Sequence, residues 1–230
     1  MKTMLQIMHM NDLPMELDRN CTDWLTDDEL ARYSAISSQN RRLQYIAGHH
    51  LARAMAARFH RNAIEDWIYF VDDDNQRRLK CRQPGMQGFH VSLSHSGVWI
   101  VAALSGSPIG IDIETYERQR DFLAIASHVF SEAESSLLRS LAPPELKRQF
   151  YLYWTMKECV AKQYGAGLKF EVARAHSFIP AITEMDASVC SWECSEYVIA
   201  MTAAWNGEID ITGLCKDFKK LYWQNVAVNR

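Results

Sequence analysis

Apolar residues recur at helical spacing between Asp27 and Arg61. Thr26 followed by Glu29 has the form of a capping box that opens one helix, and Ser37 or Ser38 can cap the next. In that second helix Leu43, Ala47, Ala54 and Ala57 make an apolar stripe. Trp67 to Val71 reads as a strand. Asp72 to Gly88 is polar, carries Pro84, Gly85 and Gly88, and predicts a long loop or a hairpin region. Two strand-like runs follow, Val91 to Leu93 and Val98 to Leu104, with Ser94 to Gly97 as a turn between them. After a turn at Gly106 to Pro108, Ile109 to Glu114 alternates strictly. Asp121 to Leu141 is helical in pattern, with Pro143 and Pro144 as a stop. Glu145 to Tyr164 is the longest helical run, closed by Gly165 and Gly167. Strand-like runs such as Tyr197 to Ala203 alternate with turns in the remainder. Helices intermixed with antiparallel-looking strands predict an α+β fold, with no charged linker and no short-period repeat.

Composition narrows the class. A chain of 230 residues suits one large domain or two small ones. With 48% hydrophobic and 23% charged residues it is neither disordered nor fibrous as a whole. The net charge of −3 argues against a general nucleic-acid binder. The longest purely apolar run, Val98 to Leu104, is far below the roughly 20 residues that span a bilayer, so no membrane partner is expected. Asp12 and Pro14 interrupt the N-terminal segment, which therefore does not read as a signal peptide. The six cysteines read as thiols in a reducing cytoplasm, because a chain of this size has no need of stapling. Cys190 and Cys194 lack a second pair to complete a zinc site.

Four constellations could carry chemistry. If Ile109, Ile111 and Ile113 face a core, Asp112 and Glu114 point together to the other side of the strand. Paired carboxylates suit Mg²⁺, although a solvated strand face would show the same alternation. Glu158 and Lys162 stand four residues apart on the long helix, as a surface ion pair also would, with Lys157 about 100° round. Ser92 to Gly97 is rich in hydroxyls around His95 and could hold a phosphate, or be a plain hairpin turn. The Gly-x-Ser-x-Gly elbow of a serine nucleophile is absent from it. Arg42, His49 and Arg53 fall within about 20° of one helical line beside Arg41, as phosphate ligands or a solvated basic face. Arg77, Arg78, Lys80 and Arg82 form a second basic cluster.

In combination these motifs are specific. Val91-Ser-Leu-Ser-His-Ser96, Pro108-Ile-Gly-Ile-Asp-Ile-Glu114 and Tyr153-Trp-Thr-Met-Lys-Glu158, with Lys162 and Gly165, resemble the 4′-phosphopantetheinyl transferases of the larger type that activates surfactin and siderophore synthetases. The Arg42 to Arg53 helix matches that family's N-terminal pattern, and the resemblance covers roughly residues 40 to 168. It departs at His49, where the family often has Arg, and at Gln76-Arg77-Arg78, where it often has Gly-Lys-Pro.

The resemblance implies two similar α+β halves related by a pseudo-twofold, residues 1–106 and 107–230, with the ligand in the cleft between them. It implies transfer of the phosphopantetheine arm of coenzyme A to a serine of an acyl, peptidyl or polyketide carrier protein, with release of 3′,5′-ADP. Asp112, Glu114 and Glu158 would hold Mg²⁺, and Glu158 would also take the serine proton. Lys162 would stabilise or protonate the leaving phosphate. Ser94, His95 and Lys157 would hold phosphate oxygens, and Arg77 would contact the nucleotide. Arg42, His49 and Arg53 would meet the 3′-phosphate, His49 as an imidazolium. A monomer suffices for such a site. A non-catalytic carrier or coenzyme A binding module and a Mg²⁺-dependent phosphohydrolase are the rival readings.

Overall fold

The computed structural model describes residues 2–13, 21–165, 167–202 and 209–228. Pro14 and Ala203, both used above, lie outside the described residues. The chain is mixed α+β and divides into two compact units, Met1–Ile109 with Asn206–Leu214, and Gly110–Trp205 with Cys215–Arg230. None of the helices among the described residues is long and apolar enough to cross a membrane.

The first unit holds β1 (Thr3–His9), α1 (Asp27–Ala35), α2 (Gln39–His60), β2 (Trp67–Val71), β3 (Arg77–Cys81), β4 (Phe89–Ser96) and β5 (Trp99–Ser105). The second opens with β6 (Ile111–Thr115), α3 (Phe122–Val129), α4 (Glu132–Ser140), α5 (Pro143–Gln163) and α6 (Phe170–Arg174). It continues with β7 (His176–Pro180), β8 (Val189–Glu193) and β9 (Tyr197–Thr202). Strand β10 (Ile209–Thr212) returns to the first unit, and β11 (Lys219–Ala227) ends the second. The return of 206–214 departs from a division into 1–106 and 107–230, because β10 pairs parallel with β1.

The first sheet runs β10-β1-β5-β4-β3-β2 and is antiparallel apart from its β10 edge. Helix α2 lies on it through Ala47, Leu51, Ala52 and Met55, against Val91, Ile100 and Leu104. Small residues let the helix approach closely, and each large apolar side chain buried there contributes about 1.5–3 kcal/mol. The Ser94 to Ser96 segment belongs to β4, not to a turn: Ser94 pairs with Val101 and His95 with Ile100. The turn is the two residues Gly97 and Val98, with Gly97 at φ 58°. Likewise β3 emerges from the polar stretch as the partner of β2, closed by Asn75 at positive φ.

The second sheet is antiparallel, in the order β6-β9-β8-β11-β7, with α5 packed against it. Phe150, Met156, Val198 and Ala200 belong to its core. The pattern Asp121 to Leu141 resolves into two helices, because Ser131 caps α4 after Phe130 turns extended. Pro143 and Pro144 begin α5 instead of only ending its predecessor, since the first helical turn needs no N–H donor there.

One buried network organises the first unit. Glu29, at the third position of α1, completes the capping box with Thr26, whose backbone N–H donates to it at 2.8 Å. The same carboxylate accepts both guanidinium nitrogens of Arg53, at 2.9 and 2.6 Å, and bonds His49 Nδ1 at 2.5 Å. Burial alone would raise the Glu29 pKa, but the bonds from His49 and Arg53 outweigh it and hold it at about 2, against an ordinary 4.5. The folded state therefore favours the ionised form. Its contribution is present above pH 4.5 and is lost as pH falls toward 2.

Glu29→Ala leaves the Arg53 cation buried without its partner and should cost about 3–5 kcal/mol in urea unfolding at pH 7. The gap between variant and wild type should narrow on acidification. A variant unfolding at the wild-type urea midpoint would show that the network contributes nothing.

Candidate functional site

Site residues of the second unit are placed by Gly110. Its N–H donates to Thr202 Oγ1 at 2.8 Å, and its carbonyl accepts from the Thr202 N–H at 2.9 Å. A Cβ at this position would lie 1.7 Å from the backbone oxygen of Cys159. Only glycine lets the chain enter β6 directly against α5. Ile111 and Ile113 are buried, and the alternate residues Asp112 and Glu114 share the other side of the strand.

Asp112, Glu114, Glu158 and Lys162 are thereby brought together. Lys162 Nζ lies 2.6 Å from Asp112 Oδ1, with the aspartate buried and the lysine reaching solvent. Glu158 is half-buried, and burial raises its pKa, helped by the negative charges of Asp112 and Glu114 and opposed by Lys162. Arg120 stands 4.0 Å from Glu114 and lies over the Trp154 ring. Among the described residues no three His, Cys, Asp or Glu side chains are drawn into a ready metal-coordinating group. The donor set nevertheless suits Mg²⁺, since these are hard oxygen ligands whose mutual repulsion on Glu158 a divalent cation would relieve.

Lys157 is placed elsewhere. It is buried, donates to the Ala173 and His176 carbonyls at 2.8 Å, and pairs with Glu134 at 2.9 Å. Burial lowers its pKa, and Glu134 opposes that shift. It packs over Phe130 and Phe178, so its ammonium is committed to the interior and not to a phosphate. Beside it is a mostly apolar cavity of about 320 Å³ lined by Val160, Leu168 and Phe178. His176 and Asn225 also line this cavity, and buried His176 Nδ1 and Asn225 Oδ1 have no hydrogen-bond partner among the described residues.

The first unit contains its own cavity, of about 700 Å³. Arg41, Tyr45, Tyr69, Arg77, Ser94 and His95 are among its walls. Ser37 and Ser38 place the N-terminus of α2 at its rim, with Ser38 as the cap. A helix N-terminus and two arginines favour an anion there.

The basic helical line fares differently. Arg53 is fully buried: its guanidinium serves Glu29, the Trp67 carbonyl and the His49 carbonyl, and it has no surface through which to meet a phosphate. His49 lines the cavity with its ring between Tyr45 and Tyr69, centroids 4.1 and 4.3 Å away. Burial lowers its pKa, and the Glu29 bond opposes without reversing that. The imidazolium expected at a 3′-phosphate is therefore not what this environment favours. Arg42 donates to the Ile36 carbonyl and lies over Tyr33, and it is the neighbouring Arg41 that lines the cavity. Arg41 had a signal in the sequence, three residues after the capping Ser38 and so in the first helical turn. Tyr45 and Tyr69 had none, because an aromatic on a helix or strand looks like core.

Residues 108–202 match the model of the 4′-phosphopantetheinyl transferase superfamily. A 4′-phosphopantetheinyl transferase of Bacillus subtilis is 42% identical over 85 residues, 37% of this chain and 37% of its own length. One from Bacillus pumilus is 38% identical over 117 residues, covering 51% of this chain and 47% of its own. The Nostoc sp. transferase HetI is 28% identical over 145 residues, covering 63% and 61%. The matched segments thus span less than two thirds of these curated relatives. The fold is of the mixed α+β class that the motifs implied, and the carboxylate strand and the Lys-Glu helix both lie inside the matched segment. Over residues 108–202 the chain is similar to the 4′-phosphopantetheinyl transferase superfamily, and its likeness to the Bacillus enzymes points the same way as the resemblance to the larger, surfactin-activating type.

Gly110→Ala should destabilise the second unit by at least about 2 kcal/mol, because the colliding atom is backbone and cannot rotate away. Urea unfolding followed by tryptophan fluorescence reads this directly. A loss below about 0.5 kcal/mol, within the usual scatter of harmless substitutions, would remove the close approach as a constraint.

Proposed function

We propose that the chain transfers the 4′-phosphopantetheine moiety of coenzyme A to a serine of an acyl, peptidyl or polyketide carrier protein, releasing 3′,5′-ADP, in the manner of a holo-[acyl-carrier-protein] synthase. The observation that carries this is the meeting of Asp112, Glu114, Glu158 and Lys162 within the matched segment. On this reading the enzyme would work in the cytoplasm as a monomer. Each unit lays one long helix on its sheet and anchors it through a buried carboxylate, which supports two similar halves.

Asp112, Glu114 and Glu158 would hold Mg²⁺. Bound there, the ion would neutralise pyrophosphate charge, which is most of what phosphoryl transfer asks of an enzyme. Glu158 is the proton acceptor for the carrier serine, half-buried four residues before Lys162 on α5. Lys162 meets the negative charge that grows on the departing phosphate. In the first unit Arg41, Arg77, Ser94 and His95, with the α2 N-terminus, hold the nucleotide phosphates. Arg53 and His49 shape that wall from behind, with Glu29 fixing both.

The test is mass spectrometry of an apo carrier protein incubated with coenzyme A, Mg²⁺ and the protein, over a panel of fatty-acid, polyketide and nonribosomal-peptide carriers. A gain of one phosphopantetheine is expected. Coenzyme A consumed without carrier modification would point to a hydrolase instead. Asp112→Ala should abolish transfer while keeping the wild-type circular dichroism, and near-normal turnover would end the metal assignment.

Arg41→Ala combined with Arg77→Ala should raise the KM for coenzyme A about tenfold or more, with a smaller effect on kcat. Dephospho-coenzyme A should discriminate less between variant and wild type. Equal KM values would remove the arginines from the nucleotide site.

A further inference from the structure

We infer that Lys162 is the resident counter-ion of the carboxylate site: its ammonium holds Asp112 until a divalent cation takes that carboxylate, so that metal loading and the release of Lys162 are one event. This rests on the proposed metal role of Asp112, Glu114 and Glu158. Lys162 Nζ stands 2.6 Å from Asp112 Oδ1, and the exposures of the two side chains are 23% and 7%. A buried carboxylate beside Glu158 and Glu114 requires a nearby positive charge, and Lys162 supplies it at contact distance. An ammonium and a divalent cation within bonding reach of one carboxylate repel each other strongly in a partly buried site. The cation therefore takes Asp112 at the expense of Lys162. The lysine has a way out, because its side chain already reaches solvent. Arg120 is not the group displaced: it lies 4.0 Å from Glu114 and is kept over the rings of Trp154 and Tyr151. Once released, Lys162 is free to turn to a phosphate oxygen. The pair thus orders events, since the lysine is occupied until the metal is present.

Mn²⁺ serves as the paramagnetic probe, titrated by electron paramagnetic resonance into the full chain and into Lys162→Met. The variant, with no lysine ammonium on Asp112 to displace, should bind Mn²⁺ about tenfold more tightly. Its metal-free form should melt lower than wild type, with Mn²⁺ closing the gap. Equal or weaker affinity in the variant overturns the inference while leaving the metal site standing. No Mn²⁺ binding by either protein overturns the metal reading and the inference with it. If Lys162→Met fails to fold, nitrogen-15 spectra of the wild-type lysine ammonium groups decide. Mg²⁺ should shift the Lys162 resonance towards that of a solvated lysine, and an unchanged resonance with Mg²⁺ bound overturns the proposal.

Discussion

The contact between the Gly110 backbone and the carbonyl of Cys159 is the constraint on which the site depends. It sets β6 against α5 at a distance no side chain would permit. A strand delivers two carboxylates to one side because its period is two, and a helix delivers Glu158 and Lys162 to one side because its period is near four. Neither periodicity says that the two sets meet. The glycine does that, and the bonds between Gly110 and Thr202 lock the approach by tying it to β9.

A second device occurs in both units. Glu29 and Glu134 each occupy the third position of a short helix, and each closes a capping box, with Thr26 and with Ser131. Each also turns its carboxylate inward to a buried cation on the unit's long helix, Arg53 on α2 and Lys157 on α5. One carboxylate thus ends one helix and holds another. Such a pair is costly to break, because either charge alone would be buried without compensation. In the first unit the same network fixes the His49 ring between two tyrosines on the cavity wall, which links helix capping to the shape of the site.

The two candidate surfaces differ in chemistry. The first unit offers arginines, hydroxyls and a helix N-terminus, which suit a multiply charged anion. The second offers carboxylates, one lysine and a mostly apolar cavity with two polar atoms in its wall.

Local patterns were enough to place the capping box at Thr26, the long helices and the pairing of Asp112 with Glu114 on one side of a strand, because each rests on neighbours within a few residues. The tertiary structure decided which charges face a ligand. Arg42, His49 and Arg53 share a helical line, but spacing gives only the angle between residues, not which side of α2 the sheet covers. Much of α2 is buried, so Arg53 meets Glu29 in the interior, while Arg41, one position off that line, reaches the cavity. Lys157 beside Glu158 is the same case, since a rotation of about 100° separates a core ion pair from the site. The sequence by itself determined which side chains lie side by side along each element. Only the packing of one element on another determined whether a charge meets solvent, a ligand or an opposite charge in the core, because that depends on residues far away in the chain.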